Sequence, residues 1–418
     1  MKEFDYGLDN LKRTIIADYF GRNTYIRNLI NYINDANEQT TFAISGDWGS
    51  GKTVFMHQFM TVLQNQDMMN KCGLSDKIAD EYEVFYYNAW ENELLKKPSI
   101  AILSCLIDKY HAIDSEDREK AAKILTKIGN IVLKLGSAGT LCIEDFINPS
   151  SDETDVKKIN ETFCEAIDFI LKKTGHKKII IIIDELDRCK PTSVIKLLEE
   201  VKHFYSHNSL CFIFSADLKQ LGHTIKKLYG SEFDSDLYMQ RFFDAIFTLT
   251  GNDYEKYVNE ELGYYISETN ISHEICKVAI AYNGLTVRET NKFIKRMKVC
   301  EKSIFQWDDF YKENYLARAV FVPWGIALKY KNTHKYNAFV NGEYSESDIK
   351  EYLDTSKELP LWLKECYVGN STKSQEIDIY KEVFRLYQQV FKQTKFRYHM
   401  YQDAVHINRA TILSLIEF

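Results

Sequence analysis

The sequence predicts an α/β fold: an open parallel sheet with helices on both faces, followed by helical segments. Five short runs rich in β-branched and aromatic residues, 41–45, 83–90, 177–185, 210–216 and 245–250, alternate with helical periodicity such as Val54–Leu63 and Ser193–Tyr205. Strands alternating with helices make βαβ units and a parallel sheet. The run "KIIIII" carries no polar alternation, which marks a strand covered on both faces. After Gly251 the strand signal fades, and 253–300 and 303–418 read as helices with loops near "NGEYSESD" and "VGNSTKSQ". The expected division is 1–252 as the sheet core, 253–302 as a small helical lid and 303–418 as a helical C-terminal region.

Composition narrows the function classes. A chain of 418 residues exceeds a single small core, and 5 Pro and 18 Gly argue against a linker-rich chain. The 27 Tyr and 25 Phe can supply large buried area. A net charge of -7 disfavours nucleic acid as the main partner, because that affinity comes from neutralising phosphates. Nine scattered cysteines, none spaced as CxxC, and a start without an apolar leader make a reducing cytoplasm the expectation, with structural zinc not expected. Residues 128–143 are apolar but include Lys134 and number 16, short of the roughly 20 that span a bilayer. A buried or surface hairpin is expected there, and no transmembrane anchor.

The first strand, "TFAIS", runs into "GDWGSGKTVF". Gly46 to Thr53 fits G-x-x-x-x-G-K-[ST] at every fixed position, after a strand and at the start of a helix. Glycines there let successive N–H groups curl around an anion at the helix N-terminus. Gly46, Asp47, Trp48, Gly49, Ser50, Gly51, Lys52, Thr53 and Val54 are therefore the candidate nucleotide-binding stretch. Lys52 would reach the β- and γ-phosphates, and the Thr53 hydroxyl would take one position on Mg²⁺.

The third strand ends in Asp184-Glu185. Asp184 would hold the metal through a water, which suits an ion reluctant to shed its hydration shell. Glu185 is then available to orient and deprotonate an attacking water. Asp187 and Arg188 read as a structural ion pair, with Arg188 facing a neighbouring subunit as the alternative. The fourth strand ends in Ser215-Ala216-Asp217, at the strand end where ligands lie in such sheets; both side chains could contact phosphate or water, or cap a helix.

Arg241, just before the fifth strand, could stabilise transition-state charge in trans or be a surface arginine. Helix 285–298 is expected to bury Val287, Phe293, Ile294 and Met297, leaving Arg288, Lys292, Lys295 and Lys298 elsewhere. Arg288, at its start, is the candidate lid arginine. His203 and His207 are four apart but lack a third ligand, and read as ordinary helix histidines.

"GDWGSGKT", then "YYNAWENE" (86–93), then "IIIIIDELDRCKP" (179–191) resembles the KAP family of P-loop NTPases. Asn88, Ala89, Trp90 and Glu91 match its N-A-W-E element, and Asp184 to Pro191 its D-[DE]-L-D-R-C-x-P segment. "DYFGR" (18–22) is similar to the element bordering adenine in related NTPases, which adds Gly21 and Arg22 to the nucleotide-binding candidates. The resemblance covers roughly 15–300.

It implies an additional-strand P-loop ATPase with strand order 5-1-4-3-2, Glu185 as the water-activating base, and arginine elements at Arg241 and Arg288. Many members carry transmembrane helices between the two nucleotide motifs, where this chain has only residues 96–160. Some bacterial members are linked to phage exclusion.

The expected function is a Mg²⁺-dependent ATPase that switches or assembles a larger complex, as a homo-oligomer or with protein partners. Lys52, Glu185, Arg241 and Arg288 are its catalytic candidates, and Thr53 and Asp184 its metal ligands. No guanine-specifying N-K-x-D is present, and the resemblance implies ATP. The alternative is a nucleotide-gated scaffold with little turnover. A nucleic-acid motor is disfavoured by the acidic balance.

Overall fold

A computed structural model describes residues 6–74, 81–93, 153–204, 207–249, 254–265, 270–306, 312–368, 377–392 and 409–417, with isolated positions between 102 and 126. The apolar run 128–143, and all but the first residue of "VGNSTKSQ", lie outside the described residues. The chain divides into two compact units, Met1–Thr250 and Gly251–Phe418.

In chain order the first unit comprises α1 (Leu8–Ala17), α2 (Arg22–Asp35), β1 (Thr40–Ser45), α3 (Lys52–Leu63), α4 (Gln66–Lys71), β2 (Tyr82–Asn88), α5 (Glu153–Thr174), β3 (Lys178–Asp184), α6 (Pro191–Phe204), β4 (Leu210–Ala216), α7 (Leu218–Tyr229), α8 (Ser235–Gln240) and β5 (Ala245–Thr248). The strands form one sheet in the order β2-β3-β4-β1-β5, every pairing parallel. From the other edge this is 5-1-4-3-2, the expected order.

The isoleucine run shows why the sheet is the middle layer. Side chains alternate across a strand, so Ile179, Ile181 and Ile183 enter one core with Phe163, Ile167 and Ile170 of α5 and Val194, Leu198 and Val201 of α6. Ile180 and Ile182 enter the opposite core, with Ile26 and Ile30 of α2 and Phe55, Phe59 and Val62 of α3. All five isoleucines are fully buried, each contributing about 1.5–3 kcal/mol relative to exposure. By the same alternation Asp184 continues the row that faces α3.

β2, β3 and β5 stop earlier than their expected runs. At the end of β2 the Asn88 side chain accepts from the Trp90 and Glu91 amides at 3.1 and 3.2 Å, an Asx turn that replaces ladder bonding. At the end of β3, Glu185 adopts a left-handed conformation (φ 61, ψ 29).

The regular elements of the second unit's described residues are all helices: α9 (Tyr254–Tyr265), α10 (Asn270–Asn283), α11 (Val287–Phe305), α12 (Lys312–Lys331), α13 (Thr333–Val340), α14 (Glu346–Leu353), α15 (Glu358–Val368), α16 (Ile379–Phe391) and α17 (Arg409–Glu417). Its centre is α12, buried at nearly every position from Tyr315 to Leu328 although Pro323 lies inside it. Gly325 permits the close approach of α17, since a Cβ there would meet Ile416 Cδ1 at 2.5 Å. Among the described residues no helix is long and apolar enough to cross a membrane. The α11 helix opens on a capping box between Thr286 and Glu289. It buries Phe293, Ile294 and Met297, whereas Val287 in its first turn is only half-buried, correcting that one position of the expected face.

Candidate functional site

The glycine-rich segment joins β1 to the start of α3 at Lys52. Gly49 (φ 82) and Gly51 (φ 88) are left-handed, a conformation that glycine adopts without a Cβ penalty. At Gly46 the constraint is space, because a Cβ would lie 2.8 Å from Ser50 Oγ.

Arg22, the first residue of α2, sets how the loop faces. It is 6% exposed, and its guanidinium donates to the Ser50 carbonyl at 2.6 Å and the Gly51 carbonyl at 3.1 Å while lying over the Phe20 ring. In a trans peptide the C=O and N–H point oppositely. With those carbonyls turned to Arg22, the Gly51 and Lys52 amides point to the other side of the loop. Gly21 precedes Arg22 as the left-handed N-cap of α2. The structure thus places Arg22 against the loop backbone.

Lys52 is buried. Its ammonium donates to the Gly46 carbonyl at 2.7 Å and the Asp47 carbonyl at 3.3 Å, and lies 3.9 Å from Asp187 Oδ2. Burial pulls its pKa below the ordinary lysine value, opposed by the carboxylates of Asp187, Asp217, Asp184 and Asp47. Thr53 and Val54 follow in the first turn of α3.

The acid pair is supported from β2. Asn88 pairs in register with Asp184, and Tyr86 with Ile182. The Tyr86 phenol donates to Asp184 Oδ2 at 3.0 Å, and the Glu185 amide donates to Oδ1 at 2.8 Å. Asp184 is 1% exposed. Burial, then Asp184 itself, hold the Tyr86 hydroxyl above the ordinary tyrosine range, so it remains a protonated donor. Glu185 accepts from Asn88 Nδ2 at 3.5 Å and pairs with Arg188 at 3.1 Å. Burial raises its pKa above the usual carboxylate value; Arg188 opposes that shift and Asp184 adds to it.

Asp187 and Arg188 do not pair with each other, which corrects the sequence reading. They occupy the 3₁₀ turn Leu186–Arg188, where successive side chains diverge by a third of a turn. Asp187 reaches Trp48 and Lys52, and Arg188 reaches Glu185 and the Trp90 ring. His207 is not a helix histidine either, because it lies beyond α6, which ends at Phe204. The His207 ring lies 3.2 Å from Asp168.

Asp217 caps α7, accepting from the Gln220 amide at 3.0 Å. The Ser215 hydroxyl is buried at the carboxyl end of β4, and it and Ser50 Oγ have no hydrogen-bond partner among the described residues. Arg241 is exposed at the end of α8, with its carbonyl accepting from Lys202. Arg288 is the exposed second residue of α11, in the other unit.

Sequence reasoning missed Tyr86 and the contacts of Asn88 and Asp187. The period-2 spacing of Tyr86 and Asn88 on a strand beside β3 was the available signal. Among the described residues no three His, Cys, Asp or Glu cluster as a metal cage. The donor types at Asp184 and Thr53, a carboxylate and a hydroxyl, are ones that suit Mg²⁺, which keeps several of its waters. The glycine cradle and the inward lysine fit a phosphate tail.

The family model described as "KAP family P-loop domain" matches residues 22–262. A 106-residue stretch is 28% identical to uncharacterized protein MJ0182 of Methanocaldococcus jannaschii, covering 23% of this chain and 52% of that protein. The chain thus spans about half the length of that relative.

Proposed function

This chain belongs to the KAP family of P-loop NTPases, and from that premise we propose that it is a Mg²⁺-dependent ATPase. The carrying observation is a phosphate-type loop, its carbonyls tied outward by Arg22, with Lys52 brought against the β3 turn at Asp187. The amides of Gly51 and Lys52 and the Lys52 ammonium would bind the phosphates. Thr53 and Asp184 would hold the cation, which when bound draws charge from the β- and γ-phosphate oxygens. Glu185 would accept a proton from the attacking water, its raised pKa bringing it toward the range of an effective base. Tyr86 would fix the rotamer of Asp184, and Asn88 that of Glu185. The Ser50 and Ser215 hydroxyls, without a partner among the described residues, are donors available to phosphate or water.

Arg241 and Arg288 are proposed to stabilise transition-state charge, either within one chain or across a homo-oligomer. Switching or assembling a larger protein complex, service in phage exclusion and a cytoplasmic setting are proposed from the family resemblance. Residues 253–302 are proposed as a lid, and 303–418 as the region that engages partners.

A gated scaffold with little turnover is the second reading, supported by the engagement of both Glu185 oxygens by Arg188 and Asn88. Titration calorimetry of the full chain with ATP and Mg²⁺ tests both readings at the binding step. Uptake is expected, and Lys52→Ala should weaken it by at least about tenfold, as loss of a charged hydrogen-bond donor implies. Equal uptake by the variant would contradict the proposal.

A further inference from the structure

We propose that Asp187 and Trp48 form a latch that engages the phosphate-binding lysine until a nucleotide displaces it. The inference rests on the nucleotide-binding reading above and adds a residue pair to it. Asp187 lies in the 3₁₀ turn after β3, and its side chain is only 5% exposed. Its Oδ2 accepts from the Trp48 indole at 2.5 Å and lies 3.9 Å from Lys52 Nζ. One carboxylate therefore bridges the middle of the loop and the lysine at its end.

Trp48 gives the second argument. It is 60% exposed, so burial does not fix its ring. The N–H bond to a buried carboxylate does, and such charge-assisted bonds are the strong ones.

The donor inventory of Lys52 gives the third. An ammonium has three N–H groups, and here they face the Gly46 carbonyl, the Asp47 carbonyl and Asp187. The two carbonyls belong to the loop and travel with it, whereas Asp187 comes from the turn after β3. An incoming phosphate therefore replaces Asp187. Its negative charge beside the Asp187 carboxylate then favours release of the turn and of Trp48. Asp187 is in this sense a positioning residue: it holds the empty loop and opposes the filled one.

The test uses the full chain with ADP in excess EDTA, so that metal ligation plays no part, and reads tryptophan emission. Wild type should show an emission shift on ADP binding that is absent from Trp48→Phe. Asp187→Asn keeps an acceptor of the same shape without the charge, and should bind ADP about three- to tenfold more tightly, as loss of one nearby like charge implies. Asp187→Ala should show, without ADP, the emission that wild type reaches only with it. Weaker or equal ADP binding by Asp187→Asn, or a wild-type shift retained in Asp187→Ala, overturns the latch. Failure of wild type to bind ADP would instead refute the nucleotide reading. The latch is then judged on the unliganded spectra, and identical Trp48 emission in wild type and Asp187→Ala sinks it. Should Asp187→Ala melt below the assay temperature, the isosteric Asp187→Asn decides.

Discussion

At the residue scale, the proposed base Glu185 also sits in an unusual backbone conformation. A left-handed conformation is uncommon for a residue with a Cβ, and sequence pattern carries no sign of it. Its φ of 61 turns the chain off β3 immediately after Asp184, and lets its amide close onto the Asp184 carboxylate. A residue with a raised pKa acting as a base makes kcat/KM rise with pH through that pKa. Burial raises the Glu185 carboxyl and Arg188 opposes the rise, so the acid limb should lie above the ordinary glutamate value. Arg188→Ala should move it higher still. A limb that stays put or moves down in a pH–rate profile of that variant would remove Glu185 from the role of base.

At the scale of elements, the site is a junction of three that are distant in sequence. The α2 N-terminus supplies Arg22, the end of β2 supplies Tyr86 and Asn88, and the β3 turn supplies Asp187 and Arg188. The glycine motif explains why the loop can curl, but Arg22 explains which way its carbonyls face. Two hydrogen bonds from a charged donor are worth about 1.5–3 kcal/mol each, so Arg22→Ala should weaken ATP binding by at least about tenfold. Arg22→Lys should restore only part of that, since a point ammonium does not reproduce a planar fork. ATP affinity unchanged in Arg22→Ala, measured by calorimetry, would show that the carbonyl contacts do not position the loop.

Across the whole molecule, the three-layer sheet was legible because its signals are local and redundant. An unbroken isoleucine run marks a strand buried on both faces, and its alternate side chains do enter two separate cores. Less legible was anything that depends on how one turn aims adjacent side chains. Asp187 and Arg188 are neighbours in sequence, yet the 3₁₀ turn sends one to the loop and the other to Glu185. Asn88 and Trp90 were visible as part of a resemblance. The Asx turn that ends β2 gives Asn88 its physical reason: an amide accepts from the turn and donates to Glu185 at once. His207 read as helical because the periodicity of α6 continues past Phe204 on paper, and helix ends are where pattern is weakest.

The central claim is that this assembly of residues hydrolyses the nucleotide it binds. Single-turnover ATP hydrolysis by wild type and Glu185→Gln, with excess protein and Mg²⁺ and with binding measured in parallel, tests it most directly. Wild type should convert bound ATP to ADP, and the variant should bind ATP comparably while its conversion falls by about a hundredfold or more, the upper range of general-base catalysis. Conversion by Glu185→Gln at the wild-type rate, or no conversion by wild type, would contradict the claim.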